Sequence, residues 1–324
     1  MPSSSERIPI ALTGVPETLL WTLYFRAQEA SRPDTVLHDP LAVELVERID
    51  YPFEARLGRG VRRAQWQGLR SRTFDEQIRR FLAAHPGGTV VALGEGLETQ
   101  FWRVDDGHVR WVSVDLPESA AVQRRVLPRH ERRREIAASA LDEGWMNELR
   151  DEQVDAHDVL ITAQGLLMYL PREQVHALIT RLAAHVPGAR MLLDGVPRWA
   201  TRATALGQRQ RRARQADSAD SAIETDSTAE TDHGAEVPEA ADPFQAPVMH
   251  WWLDDAEADA LRALPGVADV RRLHPPRGRG LVHALALPII DRLPGLRSQV
   301  LSIWSLRFAG AADGLDPAGD VRMP

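Results

Sequence analysis

Gly94, Gly96 and Asp115 have the types and spacing to hold a nucleoside. A short apolar run, Val90–Leu93, ends in Gly94-Glu95-Gly96, and a second, Val109–Val114, ends in Asp115. Two parallel strands joined by a helix would bring both ends to one rim of a sheet, where open α/β sheets bind their ligands. Glycine lets the first turn approach a ligand without a Cβ in the way. A carboxylate on the second strand can accept from a pair of ribose hydroxyls. The dinucleotide fingerprint G-x-G-x-x-G is incomplete, because Leu97, Glu98 and Thr99 follow Gly96. The loop carries Glu95 and Glu98, and no basic residue stands between Thr89 and Gln100. Such a loop suits a sulfonium cation better than a diphosphate, so S-adenosylmethionine is favoured over a nicotinamide dinucleotide. The competing interpretation is a Gly-rich turn with no ligand.

These residues need a framework. Residues 1–13 read as a loose terminus, and residues 17–84 read as helical. Asp39-Pro40 caps and starts one helix, and Leu41, Leu45, Val46 and Ile49 give it an apolar face. From Thr89 onward strands and helices alternate. DVLITAQG (158–165) and ARMLLDGV (189–196) read as buried strands. PREQVHALITRLAAHVPG reads as a helix opened by Pro171 and closed by Gly188, with Val175, Leu178, Ile179, Leu182 and Val186 as its stripe. VADVRRL and GLVHALALPI read as a terminal pair of strands. Between 204 and 247 a basic run, GQRQRRARQ, gives way to an acidic, small-residue stretch too poor in apolar surface to fold alone. The expected organisation is a helical cap (1–85), an α/β core (86–200), a mobile lid or insertion (201–247) and a C-terminal return to the core (248–324).

Composition narrows the function. The chain of 324 residues has 44% hydrophobic residues, enough for a substantial core, and no apolar run long enough for a membrane span. A net charge of −7 argues against general nucleic-acid binding. The absence of cysteine excludes thiolate chemistry and disulfides and fits the cytoplasm. No histidine pair has metal-ligand spacing, so no metal site is expected. Every basic residue is arginine.

Five segments taken together resemble the leucine carboxyl methyltransferase family, in particular its bacterial polyketide O-methyltransferase branch. They are GVPETLLWTLYFRAQEA (14–30), LHDPLAVELVERID (37–50), RSRTFDEQI (70–78), VVALGEGLETQFWR with VDLP, and ITAQGLLMYLP (161–171). The resemblance implies a methyltransferase-type Rossmann-like α/β sheet with helices on both faces. It also implies S-adenosylmethionine as donor, S-adenosylhomocysteine as product, and methylation of a carboxylate or hydroxyl on a small, polyketide-like acceptor by a monomer or homodimer. By position in the motif, Arg72 would hold the cofactor's carboxylate, in preference to Arg70. Leu141 and Asp142 would flank the adenine, with Ala140 standing where the family has an acid. Gln164 occupies the place of a family glutamate that meets the cofactor's ammonium, so Gln164→Glu is expected to strengthen binding. Tyr169 would orient the acceptor. Gln100 departs from the family's D-T-R ending. The two departures keep alive a catalytically weakened regulatory protein, and an NAD(P)-dependent oxidoreductase is the other rival.

Overall fold

The computed structural model describes residues 7–151, 155–223 and 244–310. Seven strands form the central sheet: β1 (Thr89–Leu93), β2 (Arg110–Asp115), β3 (Arg133–Ala137), β4 (Val159–Ala163), β5 (Arg190–Gly195), β6 (Val267–Leu273) and β7 (Ser302–Phe308). Their spatial order is β3-β2-β1-β4-β5-β7-β6. The first five are parallel, and β7 lies antiparallel between β5 and β6. The order reverses at β1, so a crevice opens beyond the ends of β1 and β4, as doubly wound sheets require. This sheet, with helices on both faces, is the methyltransferase-type Rossmann-like architecture expected from the sequence.

The alternation of side chains along β1 builds two cores. Val91 and Leu93 pack with the apolar stripe of helix Arg172–His185, whereas Val90 and Ala92 pack with Phe74, Ile78 and Phe81 of helix Val61–Ala84. Each such fully buried large side chain contributes about 1.5–3 kcal/mol. We label four helices: α1 (Thr18–Ala30), α2 (Pro40–Arg48), α3 (Val61–Ala84) and α4 (Gln100–Val104). Asp39 caps α2 by accepting from the Ala42 N–H at 3.2 Å. A third core, containing Leu20, Leu23, Phe25, Leu45 and Phe53, joins α1 and α2 into a cap beside the rim.

Two expectations need correction. The segment 282–290 is helical, a π-helical turn Val282–Ala286 followed by Leu287–Ile290, and the strand that pairs with β6 is Ser302–Phe308. The apolar run of GLVHALALPI suggested a strand, but its Leu and Ala residues favour a helix, and Pro288 is accepted in the first turn. The front of the 201–247 segment is also helical, since Arg198–Ile223 is one helix. Residues 224–243 of that segment lie outside the described residues. Beyond it the chain returns to the cap and to the loop after β4. The Phe244 N–H donates to Arg56 O at 2.9 Å, and the His250 N–H donates to Met168 O at 2.7 Å.

A long-range clasp closes the molecule. Arg279 grips the fully buried Glu29 of α1 with both terminal nitrogens, at 2.5 and 2.7 Å. Its backbone N–H and C=O bind the Gln65 amide of α3 at 2.6 and 3.1 Å. Among the described residues no helix is long and apolar enough to cross a membrane.

Candidate functional site

A cavity of about 250 Å3 lies at the rim between the cap and the ends of β1, β2 and β4. Gly94 and Gly96 form its floor with φ of 59° and 57°, a region that disfavours residues with a Cβ. A Cβ on Gly94 would come within 2.8 Å of Leu166, and one on Gly96 within 2.8 Å of Leu19, so the turn is pressed between the cap and the β4 loop. Asp115 closes β2. Its Oδ2 accepts from the Gly96 N–H at 3.2 Å and from the Gln123 amide at 2.8 Å. Burial, reinforced by the neighbouring Glu95 charge, pushes the Asp115 carboxyl up to about 7. Glu95 is itself raised by burial, although Arg133 donates to it at 2.8 Å and the Trp111 indole at 3.2 Å. Ser139, Ala140 and Leu141 complete this end of the wall.

The opposite end is charged and assembled from distant segments. Arg70 of α3 pairs with Asp194 of β5 at 2.9 Å, and the other Asp194 oxygen accepts from the Gly165 N–H at 2.7 Å. The Gln164 amide donates to Glu98 at 2.9 Å and to Ser71 at 3.2 Å. Burial would raise Glu98, but Arg26 at 3.2 Å and Arg103 at 2.8 Å hold it down to about 2. Arg26 and Arg103 also share Asp39, and Arg103 forks onto Asp75. Two buried atoms in this wall lack hydrogen-bond partners among the described residues: Arg70 Nε, a donor, and Gln164 Oε1, an acceptor. A buried polar group without a partner costs about 1–3 kcal/mol, so the pair describes what a ligand here would satisfy.

Of the sequence-predicted residues, Gly94, Gly96, Asp115, Leu141, Gln164 and Tyr169 all line this cavity. Arg72 does not. It is half-exposed and pairs with Glu76 one helical turn away, whereas Arg70 is buried in the cavity wall. The helical stripe explains this placement. Arg70 lies four, eight and eleven residues before Phe74, Ile78 and Phe81, which face the sheet, and two residues turn Arg72 away from that face. Asp142 likewise lies outside the cavity lining. It is exposed, and it closes a local turn by accepting from the Ser139 N–H at 3.0 Å. Gln100 sits outside the cavity, buried against Asp75 at 2.8 Å.

The acidic loop also needs a new interpretation. Both glutamates are compensated by arginines outside the loop, Glu95 by Arg133 and Glu98 by Arg26 and Arg103, so the absence of basic residues within it does not describe the field in the cavity. Tyr169 is held up at about 12 by burial and the Asp194 charge, against Arg70 and a Thr18 hydrogen bond, and it therefore stays a phenol near neutral pH. Among the described residues, no group of three or more His, Asp or Glu is placed to hold a metal.

The leucine carboxyl methyltransferase family matches residues 20–183. Tetracenomycin polyketide synthesis O-methyltransferase TcmP of Streptomyces glaucescens is 35% identical over 194 residues, which cover 60% of this chain and 70% of that protein. The S-adenosyl-L-methionine-dependent methyltransferase dpfgK of Gibberella zeae is 29% identical over 197 residues, 56% of this chain and 65% of that protein. Among solved structures, magnesium protoporphyrin IX methyltransferase ChlM from Synechocystis, with bound S-adenosylhomocysteine, aligns with a TM-score of 0.42 and 12% identity, over 78% of this chain and 89% of that one. With its family segments in order around the cavity just described, the chain belongs to the leucine carboxyl methyltransferase family and is an S-adenosylmethionine-dependent methyltransferase.

Proposed function

We propose that this protein transfers a methyl group to an oxygen, hydroxyl or carboxylate, of a small acceptor of the polyketide type. The single observation that carries the site assignment is the orphaned pair, Arg70 Nε and Gln164 Oε1, on two residues that line the same cavity as Asp115. An α-amino-acid zwitterion presents a carboxylate to accept from the first and an ammonium to donate to the second. Asp115 would take ribose hydroxyls at the other end, and Leu141 with Ala140 would wall the adenine. S-adenosylmethionine bound in this way supplies a methyl group already activated on a sulfonium.

The chain's own contribution is alignment and exclusion of water. Val15, Pro16 and Leu19 of the cap, with Leu166 and Leu170 of the β4 loop, line the cavity with apolar side chains. Tyr169, protonated, would donate to the acceptor oxygen and orient it. A carboxylate acceptor is ionised near neutral pH and needs no base. The name of the Streptomyces relative supports the polyketide reading, and the net charge of −7 supports a small-molecule rather than a nucleic-acid partner.

Calorimetry tests the site. S-adenosylhomocysteine should bind and NADH should not. Arg70→Ala should weaken S-adenosylhomocysteine by about 2–3 kcal/mol, the worth of a charged hydrogen bond lost from a buried wall. Tight NADH binding, or an undiminished affinity in Arg70→Ala, would refute the assignment.

A further inference from the structure

A second cavity, of about 300 Å3, lies on the same rim. It is walled by Trp66 and Leu69 of α3, Trp199, Pro275, Pro276, His283 and the stretch that ends in Leu301. The two cavities adjoin. Leu69 lines the second and its neighbour Arg70 the first. On the sheet, Leu301 lines the second, and the adjacent Ser302 pairs with Gly195, next to the Asp194 that holds Arg70.

Lining separates their uses. Gly94, Asp115 and Gln164, assigned above to the donor, line the first cavity, and none of them lines the second. The third cavity runs along the opposite edge of the sheet and is lined by Arg124, Arg129, Arg133 and Glu135, away from Arg70.

The walls of the second cavity specify its occupant. Two indoles and three prolines, Pro275, Pro276 and Pro288, offer flat apolar surfaces. Trp199 is anchored through its indole N–H to Gln299 O at 3.0 Å, yet it is 56% exposed, an apolar face that a ring would cover. Asp291 brings no free charge, because Arg272 pairs with it, and the lining Arg292 donates to Pro288 O at 2.9 Å. His283 is buried. Desolvation, with Arg279 and Arg62 nearby, lowers its pKa, so it offers a neutral imidazole as a hydrogen-bond partner for a hydroxyl.

We infer that this second cavity seats the body of the methyl acceptor, and that the acceptor is a planar, hydroxyl-bearing aromatic compound. This rests on the methyl-transfer function proposed above.

The test uses 2-naphthol as probe and decanoate as an apolar, non-planar control, titrated into protein saturated with S-adenosylhomocysteine. 2-Naphthol should bind at least tenfold more tightly than decanoate. Leu287→Trp, which fills the cavity, and Trp199→Ala, which removes an exposed wall and spares the fold, should each weaken 2-naphthol at least tenfold. Both should leave S-adenosylhomocysteine affinity within twofold. Equal binding of decanoate, no binding of 2-naphthol, or unchanged 2-naphthol binding in Trp199→Ala overturns the inference. The donor arm is separate: wild-type protein that fails to bind S-adenosylhomocysteine refutes the donor site, and the 2-naphthol arm, run without it, still decides the second cavity.

Discussion

Glu98 and Asp115 face the same cavity, and both are buried, yet their acidities move in opposite directions. Glu98 is held at about 2 and Asp115 rises to about 7. Burial acts alike on both, so the difference lies in their partners. Glu98 has two guanidinium groups within 3.2 Å, whereas Asp115 has a backbone N–H, a neutral amide and a second acid nearby. One end of the cavity is thus locked by compensated charge. The other keeps an under-compensated carboxylate that a ligand's hydroxyls can stabilise. The lesson is that a buried acid becomes a scaffold or a binding group according to which cations the fold brings to it.

The largest effect should come from breaking the locked end. Arg103→Ala would leave Asp39 and Glu98 paired with Arg26 and Asp75 with the neutral Gln100 amide, and loss of one partner from a buried network costs about 3–5 kcal/mol. Urea denaturation should show the midpoint falling accordingly, and an unchanged midpoint would mean that the network is not what holds Glu98.

The open end should respond to pH. The ionised Asp115 is the form that accepts ribose hydroxyls, and it is lost as pH falls through about 7. S-adenosylhomocysteine affinity should therefore drop about tenfold from pH 8 to pH 6, about 1.4 kcal/mol. Asp115→Asn should bind more weakly at pH 8 and show a flat profile. The sign for stability is the reverse. A raised carboxyl binds its proton more tightly in the folded chain, so this group costs stability as pH climbs from about 4 to about 7. A wild-type binding profile that is flat across this range would place the titrating group elsewhere.

Gln164→Glu sharpens the contrast. From sequence, the restored family charge should improve binding. In the structure the Gln164 amide donates to Glu98 at 2.9 Å, so a carboxylate there would face another carboxylate. The expectation becomes a loss of about 1 kcal/mol in affinity, moderated because the pair can share a proton. Calorimetry that showed tighter binding would restore the sequence-based expectation. The smallest effect belongs to Arg72→Ala. This half-exposed pair on the outer face of α3 should change stability by less than about 0.5 kcal/mol and leave cofactor affinity unaltered.

How far these features could be seen in the sequence follows from their reach along the chain. The β1 and β2 ends, Gly94, Gly96 and Asp115, sit within one strand–helix–strand unit, where period and glycine placement report directly on geometry. Arg70 was within reach too, through the stripe it shares with Phe74 and Ile78, but motif position pointed to Arg72 instead. The pairing of Glu98 with Arg26 and Arg103 was not legible. Arg26 comes from the cap, and Arg103 lies just beyond the loop whose charge it cancels, in the last turn of α4. Likewise, the apolar run at 280–289 fits a strand or a helix, and only its place beside β6 and β7 decides between them.

The Arg279–Glu29 clasp has a consequence for the order of events during synthesis. Glu29 is buried on α1, the helix whose Thr18, Leu19 and Thr22 roof the first cavity. Its cation is encoded 250 residues later. While the chain is still emerging, α1 has no Arg279 to meet, and seating it would strand a carboxylate away from water. The early β–α units can pair as they appear, but the roof must wait for nearly the last segment. That segment also walls the second cavity. Both chambers therefore become competent together, and a truncated product lacking Arg279 and everything after it would be left without a finished chamber of either kind.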